Sequence, residues 1–427
     1  MKIVIIGGGS YVFVPTVIED LVIKSKLECH IVLVDINIEA VKLLAEITKR
    51  IAADNNVAVK VSATTNRTEA LASADYVINT AAIQGLKRWL MDYEICKEEG
   101  IPYELRECGA LSGITYGFRT ITLMLGICKD MEKLCPSAKL LSVSNPLTKV
   151  HEAIHRFTNI ESYGFCSVAQ CGADGFEMIA DVLSRNHTDI DVVAAGVNHF
   201  TWIVSIKDRK TGGDLLPVYL EALQNSTNSD SVLKIQWYMD YGAVPATYAS
   251  HFAEFLPYRP DIHYPDAPPF HGDEAERLQR IEEMRLMATG ELDYKNVPSF
   301  LGQSWEHPGL VVGALQHKTP LYVNALNLPN MGSIPQLPEG AIVEVPTEIV
   351  NGVFQPAMGI VLPKKVADAC FNQCQVAEMV ATAAVEGNDK LALEIIELDW
   401  SISKKAAATR ALKRILAAHR DILPQFV

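Results

Sequence analysis

Hydrophobic and polar positions along this chain follow two alternating periods. Short apolar runs at residues 3–6 and 31–34 read as buried strands. Residues 38–53 carry the 3.6-residue period of a helix with one buried face. Ala74-Asp-Tyr-Val-Ile-Asn79 leads another strand into Thr80-Ala-Ala-Ile83. Residues 116–134 are helical and stop before Pro136, and Lys139-Leu-Leu-Ser-Val-Ser-Asn145-Pro146 is a strand ending in a polar loop. Strand and helix alternate, which predicts an α/β fold built on a Rossmann-type, doubly wound parallel sheet. In such a sheet the ligand lies beyond the carboxyl ends of the strands. Asn79 and Asn145 stand at those ends, each either a ligand contact or a turn-forming asparagine.

From about residue 160 the pattern becomes mixed. Residues 191–206 look extended and partly buried. Residues 257–269, rich in Pro, His and Tyr, read as a loop over a site or interface. Two C-terminal helices are expected, roughly at 364–386 and 402–420. No repeat or flexible linker interrupts the chain. A second, mixed α+β domain over residues 161–427 is therefore expected to pack directly on a first domain over residues 1–160.

The first strand ends in Gly7-Gly-Gly-Ser10, and the second ends in Asp35. That spacing is the one a βαβ dinucleotide-binding unit requires. Glycines let the backbone approach a pyrophosphate, and the following helix offers N–H groups to its charge. Gly7 and Gly9 supply G-x-G, with Val12 at the third glycine position. Asp35 falls where a carboxylate accepts both ribose hydroxyls, which favours NAD over NADP. An ordinary tight strand–helix turn is the plainer reading.

Composition narrows the possibilities. The 427 residues carry a net charge of −13 and no basic tract, which argues against nucleic acid or an anionic membrane as partner. The chain starts on a strand and glycines rather than a signal peptide, and no apolar run reaches the ~18 residues of a membrane span. Nine cysteines without a C-x-x-C read as reduced thiols, so a cytoplasmic location is expected.

Three groups of residues are candidates for chemistry. Cys166 and His199 lie in small-residue segments, Gly164-Phe-Cys-Ser167 and Gly196-Val-Asn-His199. Thiolate and imidazole suit a divalent transition metal, although a buried cysteine and a hydrogen-bonded histidine look the same in sequence. Glu104, Arg106 and Glu107 precede the stretch Cys108-Gly-Ala-Leu-Ser-Gly113, expected to be a loop, and the helix bearing Arg119. A carboxylate there either holds sugar hydroxyls or belongs to a solvated charge cluster. Residues 241–258 contain Tyr248, His251 and Glu254. A tyrosine acts as a general base when a cation lowers its pKa, but it is also a common packing aromatic.

Taken in order, these segments resemble the NAD-dependent glycosidases of glycoside hydrolase family 4. The resemblance rests on the Gly7–Ser10 turn, Asp35, Asn79-Thr80, Ser144-Asn145-Pro146, Gly164-Phe-Cys166 and Gly196-Val-Asn-His-Phe-Thr-Trp202. It continues through Tyr322-Val-Asn-Ala-Leu-Asn327, Leu337-Pro338 and Val343-Glu-Val-Pro346. It implies a lactate/malate dehydrogenase-like fold, with NAD held by Gly7, Gly9, Ser10, Asp35 and Asn79, and Mn²⁺ held by Cys166 and His199. It further implies substrate contacts at Asn145, Asn198 and Arg119, and catalytic positions at Tyr248, Ser167 and Glu107. The implied reaction oxidises sugar C3, removes the C2 proton, eliminates the C1 substituent, adds water and returns the hydride. A homodimer or homotetramer acting on a small glycoside is expected.

Three departures from the family pattern bear on substrate. Its Gly-Pro-Gly-Gly loop is here Ala110-Leu-Ser-Gly113. The residue after the metal cysteine, usually His, Asn or Asp, is Ser167, a poor general acid, so leaving-group protonation falls to water or another side chain. The arginine and serine set that grips a 6-phosphate has no counterpart, with Arg88 near but out of register. These differences favour an unphosphorylated, α-linked hexoside or uronide. Arg88 and Arg119 keep the uronide open, because guanidinium pairs well with carboxylate. The competing readings are an NAD-dependent dehydrogenase of a hydroxy acid or sugar, and a non-catalytic NAD-binding protein.

Overall fold

The computed structural model describes the chain except residues 102–106, 171, 173–174, 260–273, 299, 303 and 427. Glu104, Arg106 and most of the expected loop at 257–269 lie outside the described residues. Twelve strands form one sheet: β1 Lys2–Ile6, β2 Cys29–Val34, β3 Val59–Thr64, β4 Tyr76–Asn79, β5 Lys139–Ser142, β6 Ser162–Gly164, β7 Ile190–Val197, β8 Phe200–Asp208, β9 Val244–Pro245, β10 Leu321–Pro329, β11 Ile342–Val350 and β12 Val353–Pro356. Their order is β3-β2-β1-β4-β5-β6-β10-β11-β7-β8-β9, with β12 on β11. From β3 to β6 every pairing is parallel, the doubly wound arrangement expected. From β6 onward every pairing is antiparallel.

Strand β1 shows why the parallel half forms. Its alternate residues face opposite sides of the sheet. Val4 and Ile6 join a core roofed by the helices Ala110–Leu134, Leu147–Phe157 and Lys364–Glu386. Ile3 and Ile5 join a second core under Ile38–Asp54, Glu274–Thr289 and Pro308–His317. A strand buried on both faces needs the continuous apolar run seen in the sequence. Helix Ile38–Asp54 starts where Asn37 Oδ1 accepts the N–H groups of Glu39 and Ala40, each at 3.2 Å.

Several elements differ from what the sequence predicts. The mixed half is an extension of the same sheet, because β6 pairs with β5 on one side and with β10 on the other. Ala110-Leu-Ser-Gly113 is the first turn of the 25-residue helix Ala110–Leu134, not a loop. The turn closes by Gly113 N–H donating to Gly109 O at 2.7 Å, and a Cβ on Gly113 would stand 2.1 Å from Cys108 O. The residue types that read as a loop are thus demanded by a tight approach. Helix Ala110–Leu134 is long and apolar enough to cross a membrane, yet Leu111, Ile114, Phe118, Ile121 and Met124 are fully buried in the protein core. The C-terminus has three helices rather than two: Lys364–Glu386, Asp389–Leu398 and Lys405–Ala418. Asn388, whose side chain accepts the Leu391 N–H at 3.0 Å, starts the extra one.

Gly164 sits where the parallel half meets the antiparallel half, opposite Asn327 of β10. A Cβ there would come 2.9 Å from His151 Nε2 and 3.0 Å from Asn327 Cβ. Gly164→Ala is therefore expected to lower stability by about 1–3 kcal/mol, the usual cost of overpacking. Chemical denaturation compared with wild type checks this.

Candidate active site

The nucleotide turn is built by close approaches that exclude side chains. Gly7 has φ +79°, and a Cβ on it would stand 2.6 Å from Thr80 Oγ1 and 2.7 Å from Ala81 N. A Cβ on Gly8 would meet Val34 N at 2.8 Å, and one on Gly9 would meet Asp35 Oδ2 at 3.1 Å. Ser10 N–H donates to Gly7 O at 2.9 Å, and Ser10 Oγ accepts the Phe13 N–H at 3.3 Å. Asp35 Oδ2 accepts the Gly9 N–H at 3.1 Å and Oδ1 the Asn37 N–H at 3.0 Å, so the carboxylate is fixed at the strand end. Asn79, at the end of β4 and opposite Ile6, is fully buried. Its Nδ2 donates to Ser142 Oγ at 3.2 Å and Ser144 Oγ at 2.8 Å. Its Oδ1 has no partner among the described residues.

Cys166 lies just past β6, and His199 occupies the two-residue turn between β7 and β8 with φ +65°, a strained value for a non-glycine residue. Cys166 Sγ and His199 Nε2 stand 3.2 Å apart, both buried. Two such donors placed at right angles around a first-row divalent ion would be about 3.1 Å apart. The pair therefore fits a metal. Burial pushes the Cys166 thiol well up, with Glu344 and Glu306 adding to it. Burial also holds the His199 imidazole well below its usual range, with His251 and Lys149 adding to that. A bound cation supplies the charge that makes the thiolate favourable. Cys108 Sγ is 3.8 Å from the same Nε2.

Behind the metal pair lies Glu344, fully buried on β11. Its carboxylate accepts from Asn198 Nδ2 at 2.7 Å, Thr201 Oγ1 at 2.6 Å and Asn327 Nδ2 at 2.8 Å. Asn198 also lies beside the Cys166 sulfur and tempers the upward push on its thiol. With their N–H groups turned toward the protein, Asn198 and Asn327 are left with Oδ1 atoms that have no partner among the described residues. Asn145 repeats the pattern: it hydrogen-bonds Glu107 and has an unpartnered Oδ1. These buried acceptors want hydroxyl or N–H donors from a ligand.

Glu107 is pushed up to about 8, chiefly by desolvation, then by Glu254 and Glu306, against the Asn145 hydrogen bond. It is thus a neutral acid at pH 7. Tyr248 is about a third exposed and begins a short helix whose His251 ring lies 5.3 Å from the His199 ring. Lys234 Nζ is 6.0 Å from the Tyr248 ring centre and 2.9 Å from Asp230 Oδ2. Ser167 opens a single turn next to Cys166. Arg119 is buried and pairs with Asp92 at 2.7 Å, with Nη2 unpartnered among the described residues. Its guanidinium lies 5.5 Å from the Tyr116 ring.

The family is decided by model matches over nearly the whole chain. Residues 2–182 match the family model described as family 4 glycosyl hydrolase, and residues 194–402 match the model of that family's C-terminal domain. The chain belongs to glycosyl hydrolase family 4. This family 4 hydrolase is 29% identical to an α-galactosidase of Rhizobium meliloti, over 100% of this chain and 89% of the relative. It is 27% identical to an α-galacturonidase of Bacillus subtilis, over 92% of each. A 6-phospho-α-glucosidase from gut microorganisms, solved in complex with NAD and Mn²⁺, superposes with a TM-score of 0.81 at 22% identity, over 100% and 99% of the chains. Malate dehydrogenase of Plasmodium falciparum gives 0.52 at 13% identity over 90% and 99%, a likeness of fold alone. Membership in a hydrolase family sets aside the dehydrogenase reading.

In this family 4 hydrolase the structure brings Cys166, His199 and Asn198 together, with Glu107 joined to Asn145. Glu254 and Glu344 both stand in segments the sequence singles out, but the buried donors each one holds lie far away in the chain and are shown only by the structure. A lone glutamate in the apolar run Ile342-Val-Glu-Val-Pro346 was the available signal for Glu344. Asn198→Ala is expected to weaken metal binding about 10- to 100-fold, as loss of an outer-shell partner does, and Cys166→Ser to weaken it further. Calorimetric titration with Mn²⁺ measures both.

Proposed function

We propose that this enzyme hydrolyses a small, unphosphorylated, α-linked hexoside, using NAD and Mn²⁺. The observation that carries this reading is the Cys166–His199 pair, flanked by buried amide oxygens that lack donors. A polyhydroxylated ligand supplies such donors. Relatives named α-galactosidase that align over this whole chain support an α-hexoside. Arg88 is engaged by Asp421 through both Nη nitrogens, which leaves it poorly placed to grip an anionic group of the sugar. In this reading residues 1–160 hold the nucleotide, and residues 161–427 supply metal, sugar and subunit contacts in a homodimer or homotetramer. The eight described cysteines are all free thiols, in keeping with a cytoplasmic enzyme.

Bound at these residues, NAD supplies reversible hydride transfer at a sugar carbinol, and Mn²⁺ supplies Lewis-acid stabilisation of the adjacent enolate. Cys166 and His199 hold the ion. Gly7, Gly9 and Ser10 admit the pyrophosphate, and Asp35 accepts the ribose hydroxyls. The Oδ1 atoms of Asn145 and Asn198 accept sugar hydroxyls. Tyr248 takes the C2 proton, and Glu107, protonated at neutral pH, delivers a proton to the leaving oxygen that Ser167 is too weak an acid to protonate.

Activity on nitrophenyl α-galactoside and α-glucoside is expected to require NAD⁺ without consuming it. In D₂O the product should gain deuterium at C2 and retain its C3 hydrogen. Tyr248→Phe should lower kcat by roughly 10²-fold or more. Stoichiometric NADH with an oxidised sugar, or no deuterium at C2, overturns the reading.

The pH profile tests the acid. Glu107 is active protonated, so the rate should fall as pH rises through about 8. In Glu107→Gln that descending limb should vanish, leaving a low, flatter profile. Activity on substrates with a nitrophenolate leaving group should suffer least, since such a group needs no proton.

A further inference from the structure

We propose that Glu254 is a positioning residue that ties the segment bearing Tyr248 to the start of helix Ala110–Leu134, and so fixes the spacing of the two proton-transfer groups. The inference rests on the reading of Tyr248 and Glu107 given above. Glu254 is buried, and its Oε2 accepts three consecutive backbone N–H groups: Glu107 at 3.2 Å, Cys108 at 2.7 Å and Gly109 at 2.7 Å. Those groups belong to a segment about 146 residues earlier in the chain. N–H groups at a helix start have no partner within the helix, and a carboxylate is the strongest side-chain acceptor for them.

The same short segment is gripped from its carbonyl side as well. Buried Lys149 donates to Cys108 O at 2.7 Å. The approach of Glu254 leaves no space at Gly109, where a Cβ would meet both Glu254 Cβ and Glu254 O at 2.5 Å. On the other side, Glu254 lies between Phe252 and Phe255, whose rings sit 4.9 and 5.3 Å from Phe200, the residue next to His199. Tyr248 O accepts the His251 N–H at 3.0 Å, which joins the tyrosine to the same compact turn. The Glu254 carboxylate thus holds the segment of Glu107, while its neighbours Phe252 and Phe255 pack beside the residue next to His199 and the turn that begins at Tyr248 leads into it. An oxygen already holding three donors is poorly placed to remove a proton from substrate, so Glu254 acts through its neighbours.

The test uses Glu254→Gln and Gly109→Ala, which attack the contact from opposite sides. Amide hydrogen exchange in the substrate-free protein is expected to speed up at least about tenfold at residues 107–109 in both variants, with β1, β4 and β5 unchanged. On the α-hexoside, kcat should fall about 10- to 100-fold while KM moves less than about threefold, as misplaced catalytic groups do. Glu254→Asp should recover part of kcat, because it restores the charge. Unchanged amide protection in both variants overturns the proposal. So does loss of C2 deuterium incorporation in Glu254→Gln with amide protection intact, which would make Glu254 the base. If the wild type proves to have no NAD-dependent hydrolysis, the proposed function fails, yet amide exchange still decides whether Glu254 holds this segment.

Discussion

Burying a carboxylate is costly unless every lone pair finds a donor, and the active site of this family 4 hydrolase is organised around that requirement. Glu344 answers it in part with three donors, Asn198, Thr201 and Asn327, drawn from the β7–β8 turn, β8 and β10, and burial still holds its carboxyl above the usual range. Each donor is thereby turned in a defined direction. Asn198 directly precedes His199 in the turn, so the carboxylate holds the chain beside the Cys166–His199 pair from one layer back. Removing it would leave Asn198 Nδ2, in the turn that carries His199, without its carboxylate, while Thr201 Oγ1 keeps Val197 O and Asn327 Nδ2 keeps Gly164 O as acceptors.

The placement of this cluster follows from the sheet. Parallel strands deliver the glycine turn, Asp35 and Asn79 to one edge, where any doubly wound protein binds its ligand. The antiparallel strands begin at the Gly164–Asn327 contact and bring Cys166, His199 and Glu344 to the same edge. The glycine turn and the Cys166–His199 pair come to one end of the sheet because its two halves share a seam.

Local features were readable from sequence because their reasons are local. Gly7, Gly9 and Asp35 report themselves by spacing, since a turn and a ribose contact need those residue types within one βαβ unit. Cys166 and His199 were readable as residue types, and became a pair only when β6 and the β7–β8 turn were brought to 3.2 Å. Glu254 and Glu344 were opaque for the opposite reason. Their partners lie between 17 and 147 residues away, so an apolar run around a glutamate signals burial without telling which donors it meets. Ala110–Gly113 misled because small residues chosen for tight packing look like residues chosen for a loop. The helix Asp389–Leu398 was missed between two longer helices because a short break at Asn388 separates it from the first.

The continuity of the sheet across residue 160 limits how the protein can be taken apart. A fragment ending there would strip β5 of its neighbour β6, and a fragment beginning there would leave β6 and β10 without the parallel half. Each piece would expose a row of unpaired peptide groups at a new sheet edge, the kind of template on which chains add to one another. Two half-genes expressed separately would thus yield inclusion bodies rather than a nucleotide-binding module and a sugar-binding module. The enzyme's lineage, on the same grounds, could trade loops and surface helices freely but could not exchange either half alone.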